Sequence, residues 1–221
     1  MYIQKTLEKF YENKDYKYFP GNTIIHFLDN KEQIEIIAKI KEEMEANPLF
    51  EKFIFLPKSS YHMTVCDVLT YNTLTESDRY KKTSNLLEID QQIARFLEKT
   101  SYDLDIKMVP KKIKAKKIVL EPKTELDAKK LSNFREFVAT RTGIQLPENY
   151  TFHISLAYQL MELDEQEKKE MDQFLQSINQ KYLHLIQEIN VHKVDFVLFN
   201  DMYAYDFLEN GRAKLGITKQ K

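Results

Sequence analysis

Two stretches decide how this chain is read: Ser60-Tyr61-His62-Met63-Thr64-Val65-Cys66 and Thr151-Phe152-His153-Ile154-Ser155-Leu156-Ala157. Each runs histidine, apolar residue, hydroxyl residue, apolar residue. Apolar side chains recur at every second position, as Tyr61, Met63 and Val65 or as Phe152, Ile154 and Leu156, which is the period of a strand buried on one face. Histidine and hydroxyl then share the other face, about 6.5–7 Å apart along the strand, and can bracket one phosphate. Ser60 and Thr151 have the same parity as the histidines and read either as an extension of that polar floor or as surface or backbone-bonding polar residues.

Outward from these strands, the chain alternates helix and strand signals. Ile3, Leu7, Phe10 and Tyr11 have helical spacing, so residues 1–16 read as a helix packed on the outside. After Pro20-Gly21, residues 22–28 read as a strand. Asn22 opens it and reads either as reaching the polar floor or as a surface or backbone-bonding residue, and His26, with Leu28 in place of a hydroxyl two residues on, reads as structural. Asp29 or Asn30 caps a helix to about Ala46, and Pro48 stops it. Phe53–Leu56 is a short strand. Residues 70–83 are a polar loop beside the first motif, and Leu86 to Lys99 a helix.

Leu104, Ile106 and Met108 alternate in a further strand. It leads through Pro110 into the basic run Lys111-Lys112-Ile113-Lys114-Ala115-Lys116-Lys117, a hairpin bend before Ile118-Val119-Leu120. These lysines read either as guards of a solvated edge or as an electrostatic guide for an anionic substrate. Thr124 caps a helix that Gly143 ends, and Asp164 with Glu167 opens another. Ile189 to Phe199 reads as one largely buried strand, and the tail from Asn200 carries Tyr203, Tyr205 and Phe207. Tyr158 and Tyr203 are candidates for stacking on a base.

The halves therefore repeat: strand, capped helix, histidine strand, helix, strand, at nearly equal offsets over about residues 20–109 and 113–200. The expected fold is α+β, a single bilobal domain over residues 1–221. In it a duplicated αβ unit sets two antiparallel sheets face to face across a central cleft, with helices outside.

The composition narrows the function classes. With 33 Lys+Arg against 34 Asp+Glu, the chain carries no global positive charge for gripping duplexes. Cys66 is the single cysteine, so a disulfide framework and a thiolate zinc cluster are both excluded within one chain. The four glycines form no phosphate-cradling loop, and no HExxH pattern occurs. The charged start and the lack of a long apolar run lead to the expectation of a cytoplasmic protein without a membrane segment. A monomer is expected, without metal or other cofactor.

In-line cleavage of a phosphodiester needs a base on the attacking oxygen, an acid on the leaving oxygen, and donors for the remaining oxygens. His62, His153, Thr64 and Ser155 meet that list. The motifs His62-Met63-Thr64-Val65 and His153-Ile154-Ser155-Leu156, with the repeat around them, resemble the two-histidine phosphoesterase superfamily, which includes RNA 2′,3′-cyclic phosphodiesterases and 2′-5′ RNA ligase-like proteins. Phe19-Pro20-Gly21-Asn22-Thr23 and Tyr61-His62-Met63-Thr64-Val65 are similar to the openings of a largely uncharacterised branch. The resemblance implies a bilobal fold with a pseudo-two-fold cleft and places His62, Thr64, His153 and Ser155 at the catalytic positions. Ser155 departs from the commoner threonine but keeps the hydroxyl. Its branches act on RNA ends, cyclic ADP-ribose phosphate, 2′-5′ oligoadenylate and cyclic oligonucleotides, so the partner implied is a nucleotide, a cyclic oligonucleotide or an RNA end. A module that only binds a phosphorylated nucleotide or RNA in the same cleft is the competing reading.

Overall fold

A computed structural model describes residues 1–69, 104–142 and 144–207; the expected loop at 70–83, the helix at Leu86–Lys99 and the Gly143 cap lie outside them. The strands are β1 (Gly21–Phe27), β2 (Phe53–Phe55), β3 (His62–Leu69), β4 (Ile106–Lys114), β5 (Lys117–Pro122), β6 (His153–Ser155), β7 (Ala157–Gln159), β8 (Ile189–Val191), β9 (Asp195–Phe199) and β10 (Tyr205–Phe207). Eight of them form one antiparallel sheet in the order β10-β9-β1-β3-β6-β5-β4-β8, and β2 and β7 pair as a second, two-stranded sheet. The α+β expectation holds, but the arrangement of sheets differs. The two motif strands do not face each other across a gap between two sheets. They lie side by side in one sheet, joined through the single pair Met63↔Ile154.

Three long helices cover one face of this sheet. α2 (Lys31–Glu45) starts at Asn30, whose side chain accepts from the backbone N–H groups of Glu32 and Gln33 at 3.0 and 3.2 Å, satisfying donors that a helix start leaves open. α3 (Glu125–Thr142) starts at Thr124, whose hydroxyl and the Asp127 carboxylate each accept from the other's backbone N–H. α4 (Glu165–Tyr182) opens on a full capping box, Asp164 with Glu167, both bonds at 2.8 Å. Ile37, Ile40 and Met44 from α2, Leu131, Phe134 and Val138 from α3, and Met171 and Ile178 from α4 pack on Ile24, Met63, Ile113, Ile118 and Ile154 of the sheet. Burying each such side chain contributes roughly 1.5–3 kcal/mol, so this face anchors the fold.

Two expected elements change. The N-terminal helix is only one turn, α1 (Gln4–Leu7). Beyond it the chain turns inward: Phe10 is completely buried and joins Phe19, Ile54, Leu56, Leu160, Phe199 and Met202 in a second, smaller cluster. The single strand expected from Ile189 to Phe199 is two strands at distant positions, because β8 pairs with β4 while β9 pairs with β1. The backbone carbonyl of Lys193, in the crossing between them, accepts from Nδ1 of buried His26 at 2.8 Å. This agrees with a structural role for that ring.

Candidate active site

The Met63↔Ile154 pair fixes the geometry of the motif residues. Its antiparallel register sets His62 opposite Ser155 and Thr64 opposite His153, on the face away from the helices. The four side chains form a two-by-two array in which each histidine faces the other motif's hydroxyl. Strands about 4.8 Å apart and an i to i+2 rise of about 6.7 Å put the two histidines on a diagonal of about 8 Å.

Both rings are held in the same way. Nδ1 of His62 lies 2.6 Å from the backbone carbonyl of Ser60, and Nδ1 of His153 lies 2.7 Å from that of Thr151. A carbonyl has no proton to give, so Nδ1–H donates, and in the neutral ring Nε2 keeps its lone pair. Burial takes His62 down to about 4, helped by the nearby His153 and opposed by the Ser60 carbonyl. Half-buried His153 is also lowered, first by desolvation and then by Lys117, while the Thr151 carbonyl and Asp67 pull the other way.

The array is walled by groups from both halves of the sheet. The Tyr205 ring meets His62 edge-on at 4.4 Å, and Phe27 stands 6.3 Å from the same imidazole. Lys117 of β5 is the register partner of Ser155, and Val119 that of His153. Asp67 pairs with Thr23 on β1, whose side chain shares parity with Ile25 opposite Thr64 and Phe27 opposite His62. Asp67 is an exposed residue, yet desolvation raises its pKa against the pull of His153, Lys9 and Arg135 and a hydrogen bond from Tyr150. Lys9 sits with its ammonium 4.9 Å from the Phe19 ring and 5.0 Å from the Tyr158 ring, where desolvation lowers its pKa and the Asp67 charge raises it. Arg135, nearly buried, stacks on Tyr150 at 4.2 Å. Among the described residues no three His, Cys, Asp or Glu side chains gather as a metal ion would require.

The remaining residues expected at the site fare differently. Ser60 is buried and spends its hydroxyl on the Pro57 carbonyl at 2.8 Å; like Thr151, it serves its histidine through its backbone. Tyr158 lies in the smaller cluster beside Phe10, its hydroxyl 3.2 Å from Met202 Sδ. Tyr203 is half exposed and packs edge-on to Tyr16 at 4.9 Å. Asn22 is completely buried and alternates with Thr23 onto the helix-covered face, so the strand does not bring it to the histidines.

Asp67 escapes sequence reasoning because strict alternation from His62 puts it on the wrong face. Ile24 pairs with Cys66 and Ile25 with Thr64, so Val65 is an extra residue on β3, and this bulge rephases the strand. The signal, in hindsight, is two consecutive apolar residues, Val65-Cys66, both fully buried. Tyr205 and Lys9 reach the site through β10 and the N-terminal segment, which carry no motif.

Among curated proteins no relative matches the chain. A solved structure, that of a conserved protein of unknown function from Agrobacterium tumefaciens str. C58, superposes with a TM-score of 0.77 at 19% sequence identity, over 94% of this chain and 92% of the other, and so shares the fold. Residues 9–119 match the family 2H-phosphodiest, described as a domain of unknown function (DUF1868), a span that takes in His62 and Thr64 and stops before His153. No helix among the described residues is long and apolar enough to cross a membrane. With half of its length inside that family, the chain belongs to the two-histidine phosphoesterase superfamily, in an uncharacterised branch.

Proposed function

We propose that the protein is a metal-independent phosphodiesterase that cleaves a cyclic or 2′-linked phosphodiester of a nucleotide or oligonucleotide, with His62 and His153 as its acid–base pair. The observation that carries this reading is the crossed array, with both Nδ1 atoms locked on carbonyls and both Nε2 atoms left for proton transfer. One imidazole takes the proton of the attacking water as its oxygen bonds to phosphorus. The other, as imidazolium, gives its proton to the leaving ribose oxygen as the P–O bond breaks. Thr64 and Ser155 donate to the non-bridging oxygens as charge grows on them. The deeper ring, His62, is suited to the base because it stays neutral; His153, beside Asp67, is suited to the acid. Tyr205 and Tyr158 form the apolar side against which a base can lie. The strand order, mirrored about the β3–β6 join, supports a duplicated, bilobal domain.

The test is a panel of 2′,3′-cyclic mononucleotides, 2′-5′ oligoadenylates and cyclic oligonucleotides, assayed with and without EDTA. His62→Ala and His153→Ala are each expected to remove most of the activity and the double variant little more, because both act in one transition state. Thr64→Ala and Ser155→Ala are expected to cost roughly 10- to 1000-fold. Strictly additive histidine losses, or activity abolished by chelator and restored by a divalent ion, would overturn the reading.

A further inference from the structure

The basic run lies along the candidate site. Directly paired residues on antiparallel strands project to the same face. Ser155 pairs with Lys117, and Lys117 with Lys114; His153 pairs with Val119, and Val119 with Lys112. Lys117, Lys114 and Lys112 therefore share the face of the two-by-two array. They form a ladder that leaves Ser155 at right angles to the strands and reaches two strands away, about 10 Å.

Edge protection does not explain this placement. On the outer side of β4, beyond its pairing with β8, Asn179 of α4 supplies both bonds that Ile113 lacks there: its Oδ1 accepts from the Ile113 N–H, and its Nδ2 donates to the Ile113 carbonyl, each at 2.8 Å. At Ile113 the edge is therefore already closed. The ladder is also costly as it stands, since Lys114 directly opposite Lys117 is a like-charge cross-strand pair. Lys111 bridges Glu121, whereas among the described residues no carboxylate bridges Lys112, Lys114 or Lys117. Half-buried Lys117 has its pKa lowered first by desolvation and then by Lys114 and Lys116.

The two sides of the array are unlike. On the β1–β9–β10 side this face is roofed by the Phe10, Phe19, Phe199 and Met202 cluster, while Lys112 and Lys114 on the other side are exposed. A substrate seated at the histidines has its open, cationic direction over β5 and β4.

We propose that Lys117, Lys114 and Lys112 form a second phosphate subsite, so that the preferred substrate carries at least one phosphate beyond the one cleaved. This rests on the two-histidine reading for the position of the scissile group. A neighbouring diester of an oligonucleotide and a terminal phosphomonoester offer the same chemistry.

The experiment has a kinetic and a binding arm. kcat/KM is measured for 2′-5′ diadenylate, the same dinucleotide with a 5′-phosphate, and 2′-5′ triadenylate; anisotropy follows a fluorescein-labelled 2′-5′ triadenylate through a salt series. Lys112→Gln with Lys114→Gln is compared with Lys129→Gln with Lys169→Gln, which removes equal charge at exposed helix positions off the ladder. The ladder pair is expected to lower the ratio of the two-phosphate to the one-phosphate substrate roughly tenfold, and to flatten the slope of log affinity against log salt by about 1.4, or about 0.7 per lost contact to a single strand. Which of the two longer substrates carries the effect tells terminal phosphate from internal diester. Equal responses from both pairs would mean diffuse steering and overturn the subsite, as would no binding by the wild-type protein. Ladder-specific binding with no hydrolysis of these substrates or of the cyclic mononucleotides and cyclic oligonucleotides would keep the subsite and refute the catalytic reading.

Discussion

The low basicity of the two imidazoles sets the pH at which the free protein can act. kcat/KM reports the free enzyme, so its rising limb follows His62 near 4, and its falling limb follows His153, which desolvation holds below an ordinary histidine. The optimum is expected on the acid side of neutrality, and an optimum above pH 7 would refute the assignment. Asp67 tunes the falling limb, because its negative charge favours the imidazolium of His153. Asp67→Asn is expected to lower the His153 pKa and shift that limb to lower pH, leaving the rising limb in place. A stopped assay from pH 3.5 to 8 reads both limbs, and a falling limb that moves upward would exclude this role for the carboxylate.

At the scale of the element, the short polar attachments decide where strands stop. Asn179 completes the edge of β4 with two hydrogen bonds to the Ile113 backbone. Asn179→Ala leaves an amide and a carbonyl short of partners and is expected to cost about 1–3 kcal/mol in urea unfolding; a loss below 0.5 kcal/mol would show that water replaces the side chain. The same scale explains what could be read beforehand. Both histidine strands were legible because an apolar side chain faces the helices at every second position, and the starts of α2, α3 and α4 because their capping side chains stand next to the apolar repeats. Asp67 was hidden by a bulge that restarts the period within β3. The break between β8 and β9 was hidden because His192-Lys193-Val194 contains neither glycine nor proline, and only pairing to distant strands reveals it. The site's tyrosine wall was equally unreadable, since Tyr205 is brought to His62 by β10 pairing with β9.

For the whole molecule, one face of the sheet buys stability and the other is divided between an apolar roof and a basic floor. The roof depends on the N-terminal segment. Phe10, fully buried, packs against Tyr16 at 5.4 Å and Tyr158 at 5.0 Å. Phe10→Ala is expected to cost about 3–5 kcal/mol and, by loosening Tyr158 and neighbouring Lys9, to raise KM several-fold more than it lowers kcat. Calorimetry with steady-state kinetics checks both, and unchanged stability would mean that the segment merely rests on the surface.

Each half of the sheet is also completed by a strand from the other half of the sequence. β4 follows the first histidine strand yet lies beside β5, and β9 follows the second yet lies beside β1. Neither half can therefore be cut out as a piece that folds alone: a chain stopped after β4 presents that strand without β5, and β1 without β9, as open templates for aggregation. Closing β1 on β9 joins Ile24 to Phe196 across a long stretch of sequence, so the protein is bound to the slow kinetics of distant contacts, and a nascent chain gains its second motif histidine long after the first.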